Sequence, residues 1–294
     1  MAELSPMMKQ YFEIKKNYED TILMFRLGDF YEMFFEDAKI VSSELELVLT
    51  GRDCGQEERA PMCGVPFHSA DSYIARLVAK GYKVAICEQM EDPSTAKGIV
   101  RRDVVRIVTP GTVIESNMLD EAKNNFLCSL FYCENHAGIC FADVSTGAMH
   151  LTEIQGDALE TKIVNELGRF MPSEILINRE AAKLAAVRGF ITEKSNALTE
   201  TLEDDYLPLN DADGIICSQF KCSSADEIAV GISAQAMLAA GICIKYLRDV
   251  QRSDLSNIRL LDYYSESGYM KLDYSSRRSL ELTKTMRSND KKGS

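Results

Sequence analysis

Residues 21–34 read Thr21-Ile22-Leu23-Met24-Phe25-Arg26-Leu27-Gly28-Asp29-Phe30-Tyr31-Glu32-Met33-Phe34. The apolar run 21–25 reads as a buried strand that leads into a turn at Gly28. Asp29 stands where a helix cap would, with Glu32 three residues on as the acid of a capping box. Beyond it, Phe34, Ala38, Val41, Leu45 and Val48 recur at helical spacing as one apolar stripe. A strand, a tight turn and a long helix are therefore expected to meet at Phe30, Tyr31 and Glu32. In the plainest reading, Phe30 lies one helical turn before Phe34 and extends the core stripe, while Glu32 only completes the cap.

The rest of the chain is that of an ordinary globular protein. Of its 294 residues, 46% are hydrophobic and 27% charged, which is core material for two domains and part of a third. No apolar run reaches bilayer length, and the start lacks the basic and apolar regions of a signal peptide, so a cytoplasmic protein is expected. The nine cysteines include no CxxC pair and read as reduced, mostly buried thiols. A net charge of −12 argues against coating nucleic acid by charge alone. That charge is uneven: residues 124–246 carry −9 and residues 247–294 carry +3. A polyanion is not expected to touch the middle of the chain.

Strands and helices interleave through residues 1–110. An amphipathic helix is expected over 5–18, with Lys9, Lys15 and Lys16 on a partly basic face and Met8, Tyr11, Phe12 and Ile14 turned inward. Residues 50–59 read as a polar loop, and Ser69 as the cap of a helix that Gly81 closes. Strands follow at 82–87 and 101–108, around a turn-rich connection at 93–98, which makes 1–110 a small mixed α/β domain. Residues 111–123 have weak periodicity and read as a linker. Three strands in quick succession (126–133, 138–144 and 148–154) then form a meander. Further elements are expected as a helix at 157–167, a strand at 174–177, a helix near 180–187, a strand near 190–192, an acidic surface loop at 200–213 and a long helix at 225–247. From about residue 251 the chain turns basic and tyrosine-rich.

Several blocks carry a resemblance. Gly28-Asp29-Phe30-Tyr31-Glu32-Met33-Phe34 resembles the mismatch-recognition motif of the MutS family of DNA mismatch-repair proteins. The likeness continues through Pro61-Met62-Cys63-Gly64-Val65-Pro66-Phe67-His68, Val84-Ala85-Ile86-Cys87-Glu88-Gln89 and 104–112, and resumes at Leu272-Asp273 and Arg277-Arg278-Ser279-Leu280-Glu281-Leu282. These blocks fall in the family's order across nearly the whole chain. The resemblance implies an α/β chain with a mismatch-recognition domain at 1–110, a ribonuclease H-like connector domain at 124–247, and the truncated start of a helical core and lever domain at 248–294. Three antiparallel strands followed by alternating helix and strand is also the order of the ribonuclease H fold.

The resemblance further implies that Phe30 is an aromatic wedge inserted into duplex DNA from the minor groove, and that Glu32 hydrogen-bonds the stacked base. A mispaired step unstacks and kinks more cheaply than a paired one, so a wedge tests deformability rather than base identity. A phenylalanine face stacks on any base. Pro66-Phe67-His68 matches a block near the family's DNA-facing loops, although a turn with a packed aromatic explains it as well. Arg52, Arg59, Arg76, Lys97, Arg101 and Arg102 are the available phosphate partners. The family implies a homodimer on DNA, downstream repair proteins meeting the connector, and a bacterial, nucleoid-associated location. ATP and Mg are expected only in a C-terminal ATPase domain that this chain lacks, since no GxxxxGK[ST] is present. No catalytic residue, cofactor or metal is expected within the chain itself, which reads as a non-enzymatic fragment. Two other readings stand beside this one. Asp143, at a strand end, invites a metal-dependent ribonuclease H-like nuclease, and the chain could be a protein-interaction module alone. Cys54, Cys63, Cys87 and His68 fit no zinc spacing.

Overall fold

The computed structural model describes residues 4–92, 98–115, 118–119, 123–203, 205–253, 255–265, 276 and 279–280. The chain divides into two compact units, one of Met1–Lys123 with Leu247–Asp254 and the other of Asn124–Tyr246 with Leu255–Ser294. Among the described residues, no helix is long and apolar enough to cross a membrane.

The first unit is built on β1 (Ile22–Leu27) and β2 (Phe30–Phe34), which pair antiparallel in the register Leu27↔Phe30 and Phe25↔Glu32. Only Gly28 and Asp29 separate them, and Gly28 takes φ +59°, a conformation that costs glycine nothing at a two-residue hairpin turn. This corrects the helix expected from Asp29. Residues 30–34 bury alternate side chains, Tyr31 and Met33 to one face and Phe34 to the other, and that period of two belongs to a strand. The helix α2 begins only at Phe35 (Phe35–Leu45), with no side-chain cap. It ends where Glu46 turns left-handed, which leaves Val48 79% exposed and outside the apolar stripe.

Around this hairpin stand β3 (Thr50–Arg52), β4 (Ala60–Pro66), β5 (Val84–Gln89) and β6 (Arg102–Val108), in the order β3-β4-β2-β1-β5-β6. β3 is a short edge strand inside the stretch expected as loop. One face of the sheet packs Met24, Tyr31, Met33 and Val65 against α2 and against α3 (Ala70–Ala79), which contributes Ile74 and Leu77. The other face packs Leu23, Phe25, Phe34, Cys87 and Val104 against Met8 and Tyr11 of α1 (Pro6–Lys15). Tyr11 sits edge-on to Phe25 at 5.6 Å and to Phe34 at 5.1 Å. Buried Asp37 joins these layers, accepting from Leu23 N and from Lys15 Nζ at 2.9 Å each. Lys15 is thus committed to the fold rather than to a phosphate. Gln251 Nε2 donates to Thr112 O at 2.6 Å, and Arg252 to Val104 O at 2.6 Å.

In the second unit, β7 (Leu127–Cys133), β8 (His136–Asp143) and β9 (Ala148–Gln155) form the expected antiparallel meander. After α4 (Leu159–Phe170), β10 (Glu174–Asn178) adds parallel to β7. Next come α5 (Arg179–Ala182), α6 (Ala185–Lys194) and β11 (Leu198–Leu202), which lies parallel to β10. With the terminal β12 (Asp262–Tyr263) beside β9, the order is β11-β10-β7-β8-β9-β12. Its first five strands are the ribonuclease H arrangement. The strand expected at 190–192 is instead helical, because Val187 and Phe190 bury at a spacing of three on one side of α6. The acidic stretch holds part of β11 and the start of α7 (Leu209–Phe220) rather than a loop. The long helix expected from 225 is a short 3-10 turn, Ala225–Glu227, followed by α8 (Ala234–Gln251), whose start is capped by Ser233 Oγ accepting from Ala236 N at 3.2 Å. Gly138 on β8 lies directly under the beginning of α8: a Cβ there would stand 2.5 Å from Ala236 N and nearer still to the Gln235 carbonyl. Most of the basic, tyrosine-rich segment, including Leu272, Asp273, Arg277, Arg278, Glu281 and Leu282, lies outside the described residues.

Candidate nucleic-acid interface

Strand β2 separates its side chains by parity. Tyr31 and Met33 enter the core under α2 and α3, while Phe30, Glu32 and Phe34 share the face covered by α1. Phe34 lies beneath α1 and is fully buried, but Phe30, at the turn end, is 46% exposed. The core reading of Phe30 is therefore incorrect: its ring is open to a partner. Phe67, 43% exposed, is open as well, so two aromatic rings are accessible in this unit close to the hairpin turn.

The neighbours of Phe30 fix how it is presented. Pro66 is its register partner on β4, and Gly64 is the partner of Glu32. Gly64 brings no side chain between them; a Cβ there would touch Glu32 Cγ at 3.5 Å and Phe30 Cδ1 at 3.9 Å. The Glu32 carboxylate, whose side chain is 15% exposed, accepts from Arg52 on the edge strand. At the tip, Phe67 N donates to Asp29 O at 2.9 Å, which ties the corner after β4 to the hairpin turn.

Arg26 braces the same tip. Its guanidinium lies 3.8 Å from the centroid of the half-exposed Phe67 ring, donates to Gly28 O and stands 3.6 Å from Glu88. Glu88 in turn accepts from the Tyr31 hydroxyl, whose pKa is pushed well up, first by burial and then by that hydrogen bond to a carboxylate. Arg26 does not stand out in the sequence as a site residue, and Phe67 enters there only within the Pro66-Phe67-His68 block; its ring is half-exposed rather than packed away. The available signal was Arg26 one residue before the end of an apolar strand, where a charge must either reach solvent or find a partner.

The other basic candidates fall into distinct places. Arg101 is exposed, with its main-chain N–H held by Glu91 at 2.7 Å. Arg59 is exposed beside Gly51. His68 is exposed, its ring edge-on to Phe67 at 6.0 Å. Arg102 is buried over Phe25 and donates to Arg26 O at 2.7 Å and Val100 O at 2.9 Å, so it serves the fold and does not reach a phosphate. Arg76 belongs to α3, on the sheet face opposite Phe30, and is not brought to this site. Lys97 lies outside the described residues. What this face offers is an exposed ring beside a tethered acid with Arg52 at hand, while Arg59 and Arg101 are exposed elsewhere on the same unit. Such a surface can stack on an unsaturated ring, accept one hydrogen bond and meet phosphates at its rim.

The cysteines and Asp143 do not form a second site. Cys63 packs under α2 and α3, whereas Cys54 and Cys87 pack on the α1 side. Among the described residues, no group of three His, Cys, Asp or Glu side chains is placed to hold a metal. Burial pushes the Cys63 thiol up to about 11 and the Cys87 thiol up to about 12. At pH 8 the native protein is therefore expected to leave both unmodified by a thiol-disulfide reagent while Cys133 and Cys222, each partly exposed, react first. Mass spectrometry of the labelled peptides checks the order. Asp143 is fully buried, and its carboxylate accepts from Asn125 N at 3.2 Å, Ser145 N at 2.9 Å and Ser145 Oγ at 2.6 Å. It braces the turn between β8 and β9. Asp143→Ala is expected to lower stability by about 2–3 kcal/mol by stranding those donors, and urea unfolding of the variant measures it.

Two family models match the chain: MutS domain I over residues 5–117 and MutS domain II over residues 125–259. Curated relatives named DNA mismatch repair protein MutS align along the whole chain. That of Ruminiclostridium cellulolyticum is 49% identical over 294 residues, and that of Clostridioides difficile 47% over 294 residues. The chain spans 33% of the first relative and 30% of the second, about a third of their length.

Proposed function

The chain belongs to the MutS family of DNA mismatch-repair proteins, and we propose that its first unit binds duplex DNA at mispaired or unpaired bases. The observation that carries this reading is the exposure of Phe30 on a strand whose other aromatics are buried, with Glu32 two residues on along the same face. Insertion from the minor groove unstacks a base step at a cost of a few kcal/mol, less where pairing is already broken. Stacking on the phenyl ring returns about 1–3 kcal/mol whatever the base. Glu32 then accepts from an edge of the stacked base, an edge that correct pairing occupies. Pro66, the register partner of Phe30, and the exposed His68 and Arg101 are assigned as further DNA contacts, while Arg52 holds the Glu32 carboxylate.

In this reading, residues 1–110 are the recognition domain, 111–123 the linker, 124–247 the connector and 248–294 the start of a core and lever domain. The chain has no P-loop, so its residues do not fit ATP and Mg, and that chemistry is assigned to a domain outside these 294 residues. Homodimerisation on DNA, docking of downstream repair proteins on the connector and a bacterial cytoplasmic location at the nucleoid belong to the same proposal. The nuclease alternative is disfavoured by the full engagement of Asp143 with its own turn.

The test is the ratio of affinities for a G·T or single-base-bulge duplex over the matched duplex, at one fixed salt concentration, in the protein at the full length of its relatives. A ratio well above one supports mismatch recognition. Equal affinities overturn it, and cleavage of either duplex with a divalent metal would move the assignment to the nuclease reading.

A further inference from the structure

Arg52 is set apart from the other arginines of the first unit that have partners. Arg26, Arg102, Arg106 and Arg252 each donate to a main-chain carbonyl as well as meeting a side chain, so each is built into the fold. Among the described residues, the Arg52 side chain donates to Glu32 alone, and Glu32 accepts from Arg52 alone. The pair is not local. Arg52 lies on β3 and Glu32 on β2, with β4 between them in the sheet, so the guanidinium reaches over a whole strand. It also reaches along the sheet, since Arg52 is registered with Ala60 of β4 and Glu32 with Gly64.

Stability does not account for this strap. A solvent-exposed pair of long side chains contributes on the order of 0–1 kcal/mol after its ordering entropy; here Arg52 is 37% and Glu32 15% exposed on the side chain, so desolvation of the acid offsets part of any gain. The consequence of the strap is geometric. A glutamate next to an open aromatic has three rotatable bonds, and without a partner it samples many directions. The charge-assisted hydrogen bond from Arg52 Nη1 to Glu32 Oε2 restricts where that carboxylate sits.

We propose that Arg52 is a positioning residue for recognition: it aligns the Glu32 carboxylate beside Phe30 before DNA arrives and offsets its charge near the phosphates. This rests on the function proposed above. It separates Arg52 from a rim arginine that contacts phosphate independently of Glu32. In a purely phosphate-binding role, the loss of Arg52 weakens all duplexes alike and does not depend on what stands at position 32. As a positioning residue, it acts only through Glu32.

The experiment is a double-mutant cycle in the full-length protein, reading the affinity ratio of G·T over matched duplex at fixed salt. Arg52→Gln is expected to lower the ratio about fivefold, within the range of couplings between residues of one ion-pair network. Arg52→Lys recovers part of that loss, since it restores the charge without the guanidinium. In the Glu32→Gln background, Arg52→Gln leaves the ratio unchanged. The proposal is overturned if Arg52→Gln lowers the ratio by the same factor in both backgrounds, or if it leaves the ratio intact while lowering both affinities. Phe30→Ala in the same assay keeps the two levels apart. If the wild-type ratio is high and collapses with Phe30→Ala, mismatch recognition stands whatever the cycle returns.

Discussion

Phe30→Ala is expected to bring the affinity ratio for mispaired over matched duplex from well above one to near one, with little change in stability. The two halves of that expectation come from the same observation. The ring is 46% exposed, so truncation removes far less buried surface than the about 3–5 kcal/mol cost of deleting a core phenylalanine implies. Its stacking partner in the complex is a base, and loss of that stack costs about 1–3 kcal/mol, or roughly five- to 150-fold in affinity. The loss falls on the kinked, mispaired complex, because the matched duplex resists opening to receive the ring. Binding titrations and thermal unfolding of the same preparation read both quantities. A variant that keeps the ratio places mismatch sensing elsewhere on the chain. A variant that unfolds many degrees lower shows that the ring is core after all. Phe34→Ala is the contrasting control, since Phe34 is fully buried against Tyr11 and Phe25.

Gly138→Ala is expected to destabilise the second unit by about 3 kcal/mol or more. The added Cβ meets the backbone of Gln235 and Ala236, not the movable end of a side chain. β8 is the central strand between β7 and β9, and Ser233 pins the start of α8, so neither partner can shift cheaply. Overpacking of this kind costs about 1–3 kcal/mol in cores that can adjust, and more where they cannot. Gly189→Ala makes the comparison within the same unit: nothing lies within 4 Å of its Cβ and the position is inside α6. There the expected change is a gain of about 0.5–1 kcal/mol from helix propensity. Chemical denaturation of the two variants against wild type checks both signs. Equal effects would show that close approach at Gly138 is not what the glycine serves.

How far the sequence discloses this structure depends on which residues are asked. The β7–β8–β9 meander is legible because its short turns, at Glu134-Asn135 and around Gly147, punctuate three apolar runs. The region around Phe30 is legible in its chemistry and not in its backbone. Asp29 and Glu32 satisfy a helix-cap spacing, and Phe34, Ala38, Val41 and Leu45 continue it, so the helical template accounts for more residues. The hairpin prevails because Tyr31 and Met33 alternate with Phe30, Glu32 and Phe34, and because pairing with both β1 and β4 satisfies the main chain on both sides. Tertiary pairing of that kind is invisible in a local window. The same limit hides β3, whose three residues become a strand only beside β4. Phe30, Glu32 and Pro66, which only the family resemblance marks, lie together on β2 and β4, and Arg52, one of several basic candidates, reaches Glu32. Arg26 is silent in the sequence, and its pairing with Phe67 is invisible there, because that contact comes from the meeting of β1 with the corner after β4. Arg102 and Arg76 look alike as charges, yet one is buried and the other lies on the far side of the sheet.

The alternation along β2 also limits how this surface can change. Phe30 and Glu32 face outward only because Tyr31 and Met33 face inward, and a strand offers no third direction. Inserting or deleting one residue between Gly28 and Phe34 would exchange the two sets, sending the carboxylate into the core under α2 and α3 and Met33 to the face that now carries Glu32. The recognition element therefore shares a reading frame with the hydrophobic core: its residues are open to substitution one at a time, while its length is not. Variation among relatives should thus take the form of exchanges at fixed spacing within these strands, with gaps confined to the loop between β3 and β4.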